Sequence, residues 1–425
     1  MKERHQTGLP VTRDTDPALP RDATRRRFLR TGLAMGGLAV AATGAPALGQ
    51  MDHRGHAGHS MDQDMHHGQE DAHAGHGAGG EVNARTLKAM MGHERLEDIP
   101  LRGPADAVAR LPYAERNGAK EFELTAEPVR WAYAGDHTIL AWGYNGQVPG
   151  PEIRVTEGDK VRIRFTNHLP VPTSLHWHGL HVPFGMDGVP GVTQKPVMPG
   201  ETFVYEFDAV PAGTRFYHTH GSHHGDESVQ MDMGLSGAFI VEPRTDRPAF
   251  DRELTLLLGE WQLGSGGMNQ VVATGGHEHE IGGDHATGGY NLFTLNGRSY
   301  PDVPSLKVRE GERVRIRMIN AGSMSIHPMH IHGHSFEVVA IDGNPVPEAA
   351  RQMRDVVTLA PGERFDVEFT ADNPGIWLLH CHELHHAAMG MIMLIEYEGF
   401  EARLEDGAGD APAPDAGGHD AHHGH

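Results

Sequence analysis

The sequence predicts an all-β protein that contains two β-sandwich domains. The first observation is an internal repeat, in which the run from Glu157 to Asn167 resembles the run from Glu310 to Asn320. The second is that each copy alternates apolar and polar residues over short spans between Pro-Gly and Asn-Gly turns, while helical periodicity is weak. Many short strands that each bury one face are typical of a β-sandwich.

Residues 1–50 are predicted to contain a twin-arginine signal peptide. Adjacent arginines in Thr24-Arg-Arg-Arg-Phe-Leu-Arg30 precede a mildly apolar run from Gly32 to Ala47. We therefore expect the twin-arginine export machinery as a partner and a periplasmic or secreted mature protein. The alternative is a basic, disordered N-terminus. No other stretch reaches the roughly 18 apolar residues that a membrane span needs, so we expect no span.

Histidine-rich, glycine-rich tracts flank and interrupt the repeat. Residues 51–117 are predicted to be a polar, largely disordered lead-in, and residues 403–425 a disordered tail. A third tract runs from His277 to His285. These tracts either hold copper or zinc loosely or are solvated linkers.

The net charge and the cysteine content limit the classes of partner and site that this chain can have. The formal net charge of −21 argues against a nucleic-acid partner, because phosphate binding needs clustered Lys and Arg. Cys381 is the single cysteine and cannot form an internal disulfide. In an oxidising compartment, its presence favours metal ligation.

The first predicted domain covers residues 118–245 and contains two His-x-His pairs. Side chains two residues apart on a strand point the same way, so each pair directs both imidazoles to one side. The candidate metal ligands are His176, His178, His218 and His220.

The second predicted domain covers residues 251–402 and repeats both pairs, as His330, His332, His380 and His382. Between the last two lies Cys381, which should point to the opposite side. The neighbouring candidates for a second kind of site are His327, His386 and Met391. Two imidazoles, a thiolate and a weak thioether suit an electron-transfer copper. The alternative is a buried free cysteine near ordinary histidines. The first domain has Thr173 and Thr219 at the corresponding positions, so only the second can hold this site.

Four motifs resemble those of the multicopper oxidases, the family of laccases and cuprous oxidases. They are His176-Trp-His-Gly, His218-Thr-His, His327-Pro-Met-His-Ile-His and His380-Cys-His-Glu-Leu-His-His-Ala-Ala-Met-Gly-Met. The resemblance implies cupredoxin-like Greek-key sandwiches and copper as the cofactor, about four ions per protomer. It assigns a type 1 copper to His327, Cys381, His386 and Met391, and a type 2 copper to His176 and His330. It assigns the type 3 pair to His178, His218, His220, His332, His380 and His382.

The family's activity gives the expected reaction and partners. Single electrons from phenols, aromatic amines or Cu(I) would pass from Cys381 to His380 or His382, and O2 would be reduced to water. Asp187 looks like the acid that the family places beside the trinuclear cluster as a proton relay, although an Asp-Gly turn is the alternative. Many members carry Glu where this chain has Ala387, which leaves the second relay acid open.

The chain has two repeats where most of the family has three domains. It resembles the two-domain "small laccase" branch, which implies a homotrimer with the cluster between the first domain of one subunit and the second of its neighbour. A periplasmic cuprous oxidase for copper tolerance is an alternative. It is suggested by candidate Cu(I) ligands, namely Met231, Met233, Met389 and Met393 and the acids Asp226, Glu227 and Asp232. A copper nitrite reductase and a non-catalytic copper store are two further candidates for the function.

Overall fold

The computed structural model describes residues 84–103, 108–222, 226–245, 249–264, 269 and 289–400, all within one compact unit. These residues contain 22 strands and only short helices, which confirms the all-β prediction. The predicted signal peptide, the histidine-rich insert and the tail at 403–425 lie outside the described residues. None of the described helices has the length and apolar character that crossing a membrane requires.

The helices connect strands or precede the first sandwich. The α-helices are α1 (Ala84–Met91), α2 (Glu227–Asp232) and α3 (Leu384–Ala388). The single-turn 3-10 helices are Leu96–Asp98, Phe184–Met186 and Glu348–Ala350.

The first sandwich consists of a six-stranded and a four-stranded sheet. Its strands are β1 (Leu101–Arg102), β2 (Tyr113–Arg116), β3 (Ala119–Ala134), β4 (His137–Tyr144), β5 (Gly150–Thr156), β6 (Lys160–Asn167), β7 (His176–His178), β8 (Thr202–Asp208), β9 (Gly213–His218) and β10 (Ser236–Glu242). One sheet has the order β1-β3-β6-β8, with β2 and β4 also paired to β3, and the other has the order β5-β10-β9-β7. The β3/β6 and β5/β10 pairs are parallel.

The second sandwich consists of a seven-stranded and a five-stranded sheet. Its strands are β11 (Arg252–Trp261), β12 (Leu292–Leu295), β13 (Leu306–Val308), β14 (Arg313–Asn320), β15 (His327–Ile331), β16 (Phe336–Ile341), β17 (Asn344–Pro345), β18 (Met353–Arg354), β19 (Val356–Leu359), β20 (Arg364–Thr370), β21 (Ile376–Cys381) and β22 (Ile392–Tyr397). The sheet orders are β12-β11-β14-β20-β16-β17, with β18 also paired to β16, and β13-β22-β21-β15-β19. Parallel pairs β11/β14 and β13/β22 match β3/β6 and β5/β10, so the sequence repeat is also a repeat of topology.

Each sandwich has its own apolar core, and smaller clusters join the two. Trp142 and Phe165 are fully buried in the first core, as Phe293 and Ile316 are in the second. Trp131 lies in a cluster with residues of both sandwiches, and its Nε1 donates to the Gly297 carbonyl at 2.8 Å. This packing fixes the orientation of one sandwich relative to the other.

A buried ionic network crosses the same interface. The Arg317 guanidinium of the second sandwich donates to Asp366 at 2.7 Å and to the Thr214 hydroxyl of the first at 2.8 Å. The Thr214 hydroxyl in turn donates to Asp366 at 2.6 Å. Removing one partner of such a buried pair typically costs about 3–5 kcal/mol, because the other charge is left uncompensated.

The prediction of a largely disordered lead-in is wrong for residues 84–103 and 108–117. Helix α1 buries Leu87, Met90 and Met91, whose spacing places them on one helical face, in the first core. The Trp142 indole donates to the Met90 carbonyl at 2.8 Å. The polar composition of the neighbouring histidine-rich stretch hid this short apolar stripe.

Candidate metal centres

The second sandwich contains a buried triangle of one thiol and two imidazoles. Cys381 Sγ lies 3.8 Å from His327 Nδ1 and 3.6 Å from His386 Nδ1, and the two Nδ1 atoms are 3.2 Å apart. All three residues are buried, and their donor atoms all lie within 4.8 Å of one another. The residues that the sequence placed in one electron-transfer site are therefore adjacent in space.

Strand pairing and a short loop bring these residues together. Strand β15 begins at His327 and pairs with β21, which ends at Cys381, so that Met329 lies opposite Cys381. Two hydrogen bonds close the loop between Cys381 and Met391. The Cys381 amide donates to the Met391 carbonyl at 3.1 Å, and the Met391 amide donates to the His386 carbonyl at 3.0 Å. Met391 itself is fully buried in the second core, beside Cys381.

Burial controls the protonation of the triangle. It lowers the pKa of His327 to about 3, with the neighbouring His386 as a smaller cause, so the imidazole is neutral and keeps a lone pair. Burial also raises the pKa of the Cys381 thiol to about 12. A thiolate there needs a bound cation for compensation. This buried set of two nitrogens and one sulfur fits a copper ion of the blue electron-transfer type.

A group of imidazoles lies at the end of the four-stranded sheet of the first sandwich. Antiparallel pairing of β7 and β9 places His176 opposite His218, and their ring centroids are 5.2 Å apart. His178 Nδ1 lies 3.3 Å from His218 Nε2. The His220 ring is 5.8 Å from that of His176, which completes the group of four histidines that the two pairs predict. We call this group the first half-site.

The second sandwich repeats the arrangement. Strands β15 and β21 place His330 opposite His380, and His332 Nε2 lies 2.9 Å from His380 Nε2. The His382 ring is 5.7 Å from that of His330. We call these four histidines the second half-site.

Backbone carbonyls fix the tautomers of four of these rings. In each, Nδ1–H donates to a carbonyl at 2.6–2.8 Å, the donors being His176 to Asp187, His218 to Thr219, His330 to Asp355 and His380 to Cys381. The Nε2 lone pair is therefore free to bind a metal. Burial lowers the pKa of His218, His332 and His380, which keeps these rings neutral.

The two half-sites are separate within one chain. Three donor atoms of His176, His178 and His218 lie within 4.8 Å of one another, and so do those of His330, His332 and His380. Among the described residues, no hydrogen bond or ring contact joins a histidine of one half-site to a histidine of the other. The described part of one chain therefore presents two separate imidazole clusters.

Two carboxylates approach the first half-site. Asp187 Oδ1 lies 3.5 Å from His176 Nδ1, which places the acid that the sequence singled out beside its expected neighbour. Glu227, on α2, lies 3.4 Å from His220 Nδ1 and 3.8 Å from His218 Nδ1. The sequence indicated Glu227 only as a candidate Cu(I) ligand. It did not indicate an acid of this half-site, because Glu227 comes next to the rings only through the fold of the loop after β9.

Hydroxyl and amide groups replace the thiol and imidazole in the first sandwich. Thr173 and Thr219 are buried with their hydroxyl oxygens 3.1 Å apart. Both hydroxyls donate to Gln230 Oε1, at 2.6 and 2.8 Å. This hydrogen-bonded set contains no thiolate or imidazole, so it lacks the soft donors that a blue copper needs.

Comparison with known proteins identifies the family. Two profiles described as multicopper oxidase match residues 125–246 and 276–399, together more than half of the chain. The chain belongs to the multicopper oxidase family. Its fold is accordingly the cupredoxin-like β-sandwich, and its cofactor is copper.

Relatives of this multicopper oxidase include longer proteins. The chain is 30% identical to multicopper oxidase MmcO of Mycobacterium tuberculosis, over 68% of this chain and 57% of that protein. It is 28% identical to copper resistance protein A of Escherichia coli, over 60% of this chain and 49% of that protein. The chain therefore spans about half the length of these curated relatives. The crystal structure of blue copper oxidase from Nitrosomonas europaea superposes with a TM-score of 0.57 at 34% identity, over 65% of this chain and 86% of that one.

Two further acids of this multicopper oxidase lie beside the thiol-imidazole triangle. Glu260 Oε2 is 4.0 Å from His327 Nε2, a buried atom with no hydrogen-bond partner. Glu383 Oε2 is 3.1 Å from His386 Nε2. Glu383 follows His382 directly, so its position in the chain could have indicated it, whereas Glu260 arrives from the distant strand β11 and carried no such signal.

Proposed function

We propose that this multicopper oxidase takes single electrons from a small donor at a type 1 copper and reduces O2 to water at a trinuclear copper site. The observation that carries the proposal is the joint presence of the buried thiol-imidazole triangle and two imidazole half-sites in one chain. Bound copper supplies the one-electron and oxygen chemistry, which no side chain can perform.

In the second sandwich, the proposed ligands of the two copper centres lie on opposite sides of the chain at the end of β21. His327, Cys381, His386 and Met391 hold the type 1 copper. His380 and His382, which flank Cys381, turn to the opposite side and belong to the second half-site. The covalent backbone between Cys381 and its neighbours is thus the short connection between the two centres.

Completion of the trinuclear site requires two chains. Each half-site offers four imidazoles, and the proposed cluster uses all eight, with His176 and His330 on the type 2 copper and the other six on the type 3 pair. We infer that the first half-site of one subunit meets the second half-site of a neighbour. Repetition of this heterologous contact around a closed ring gives the homotrimer. Copper loading is then about four ions per protomer.

Asp187 supplies protons in this proposal. Reduction of O2 to water consumes protons, and a carboxyl that is about one-third exposed and 3.5 Å from His176 Nδ1 can exchange them with solvent. Glu227 lies at a comparable distance from His220, and it is a candidate for the second acid that Ala387 cannot provide.

Phenols and aromatic amines are the donors we propose, and Cu(I) is the second candidate. Copper resistance protein A is among the relatives, and the Met389 side chain, next to the type 1 loop, is 40% exposed. Soft sulfur favours Cu(I). Three of the other candidate Cu(I) ligands are less suitable, because Met233 and Met393 are buried in the two cores and Asp232 is hydrogen-bonded to Tyr290 and Ser323.

Domain division and location are also part of the proposal. The type 1 site then lies in a second domain at residues 251–402, which follows a first domain at 118–245. Export by the twin-arginine route places the protein in the periplasm or outside the cell.

Metal analysis, optical spectroscopy and oxygen consumption test this function together. The copper-loaded protein should contain about four coppers per protomer, show the blue thiolate-to-copper absorption and consume O2 with a phenol such as dimethoxyphenol. A colourless protein that consumes no O2 with any donor would support a copper store instead. Saturable O2 consumption with Cu(I), without phenol turnover, would identify the cuprous oxidase.

A further inference from the structure

The carboxylate of Glu383 caps the helix that carries His386. Helix α3 begins directly after Glu383, whose side chain accepts hydrogen bonds from the amides of His385 at 3.3 Å and His386 at 2.8 Å. These amides have no partner within the helix, and a carboxylate at the N-cap satisfies them. The cap therefore ties the position of α3 to the residue that follows His382.

The same carboxylate contacts the His386 ring. Glu383 Oε2 lies 3.1 Å from His386 Nε2, and a carboxylate at this distance favours the tautomer that carries its proton on Nε2. His386 Nδ1 then holds the lone pair, and it faces Cys381 Sγ at 3.6 Å. One side chain thus determines both where the ring lies and which nitrogen is available to a metal.

The second imidazole of the triangle has no comparable support. His327 Nε2 is buried without a hydrogen-bond partner, and Glu260 is 4.0 Å away, beyond hydrogen-bonding distance. Both His327 and Glu260 are almost completely buried, whereas the Glu383 side chain is 42% exposed. Of these two acids, only Glu383 both contacts an imidazole of the triangle and is exposed to solvent.

We propose that Glu383 is a positioning residue that holds His386 in its ligating tautomer and lowers the reduction potential of the type 1 copper. A carboxylate 3.1 Å from Nε2 also stabilises positive charge on the ring, which makes the imidazole a stronger donor to a metal. A negative charge next to a ligand also stabilises the more positive, oxidised ion over the reduced one. This inference rests on the proposed function, because it requires copper in the triangle.

Substitution of Glu383 by Gln separates the charge from the hydrogen bonds. The Gln carbonyl oxygen can still accept from the helix amides and can lie next to His386 Nε2, but the negative charge is lost. For Glu383→Gln we expect a higher type 1 reduction potential by redox titration, with an unchanged copper content and urea midpoint. The matched control is Glu348→Gln, an exposed glutamate in a 3-10 helix, which should keep the wild-type potential.

Substitution by Ala removes the charge and the hydrogen bonds together. Glu383→Ala should lower the urea midpoint, and the paramagnetic spectrum of its type 1 copper should change because the His386 ring is no longer held. Glu383→Gln with the wild-type potential, or Glu348→Gln with an equal rise, would overturn the inference. A wild-type protein without blue absorption would instead refute the proposed function, so the two failures are distinguishable.

Discussion

Cys381 is the residue on which the proposed type 1 site depends most. Its sulfur is the soft donor atom of the triangle, and its neighbours His380 and His382 belong to the second half-site. The sequence could predict this double connection, because alternate side chains on a strand point to opposite sides. This prediction needs only the adjacency of residues 380–382 in the sequence, and it does not depend on contacts between distant parts of the chain.

Replacement of Cys381 by Ser should abolish the blue absorption and stop O2 consumption, because a hydroxyl is a poor ligand for this copper. The half-sites should still bind metal, since their imidazoles are unchanged. Optical and paramagnetic spectra of the copper-loaded variant measure both effects. Thr219→Ser, at the corresponding position of the first sandwich, keeps the hydroxyl and should retain the colour. A blue Cys381→Ser protein would show that the assignment is wrong.

Asp232 should make the stability of the copper-free protein depend on pH. Burial raises its pKa to about 7 from the usual 3.8, so the folded state holds a proton that the unfolded chain releases. The folded state therefore loses stability as pH rises from about 4 to 7, and the loss is then constant at about 4 kcal/mol. No sequence pattern indicated this acid as buried, because it lies in a polar stretch after β9.

Comparison with Asp232→Asn isolates this contribution. Asn cannot ionise, so the free energy of unfolding of the variant minus that of the wild type should increase by about 3 kcal/mol between pH 5 and pH 8. Urea unfolding at both pH values measures it. The lost hydrogen bond from Tyr290 or Ser323 adds an offset that is the same at both pH values. An equal difference at the two pH values would show that Asp232 does not hold a proton.

Strands and loops position the half-sites. Pairing of β7 with β9 places His176 opposite His218, and pairing of β15 with β21 places His330 opposite His380. The repeat and the alternation of apolar residues predicted these strands, and hence most of the fold. They could not predict which loops approach the rings, because loop paths depend on contacts between distant residues.

Gly188 is one such loop residue, next to the proton-relay candidate Asp187. Its φ is +86°, and a Cβ there would lie 1.9 Å from the Leu175 carbonyl oxygen. Gly188→Ala should therefore push the loop away from His176 and reduce copper binding by the first half-site. The matched control is Gly191→Ala, with a φ of +77° but no atom within 4 Å of the added methyl.

Both variants should lose roughly 1 kcal/mol of stability from the positive φ. Gly188→Ala alone should lose more, because backbone atoms must move to relieve the overlap. Urea unfolding and the copper content of the loaded variants test this difference. Equal behaviour of the two variants would show that the close approach of Gly188 to Leu175 does not position the site.

At the scale of the whole molecule, the proposed trinuclear ligands form two groups that make no contact in the part of one chain that the structure describes. The sequence contains the eight candidate histidines and resembles a two-domain oxidase. The distances between these histidines could not be predicted from it. The structure shows two half-sites, four histidines in each, without a contact between them in the described residues. The proposed homotrimer follows from that separation together with the need to join all eight imidazoles around the cluster.

A complementation measurement tests this sharing of the trinuclear site most directly. One variant carries His176→Ala and His218→Ala, and the other carries His330→Ala and His380→Ala. Each should fold and show the blue absorption, yet neither alone should consume O2. The variant with His330→Ala and His380→Ala keeps an intact first half-site, and the variant with His176→Ala and His218→Ala keeps an intact second half-site. After co-expression, these two intact half-sites can meet between neighbouring subunits. Oxygen consumption should then recover to about a quarter of the wild-type rate if subunits mix at random in a ring. A mixed oligomer that stays inactive, with both variants folded and blue, would contradict the shared site.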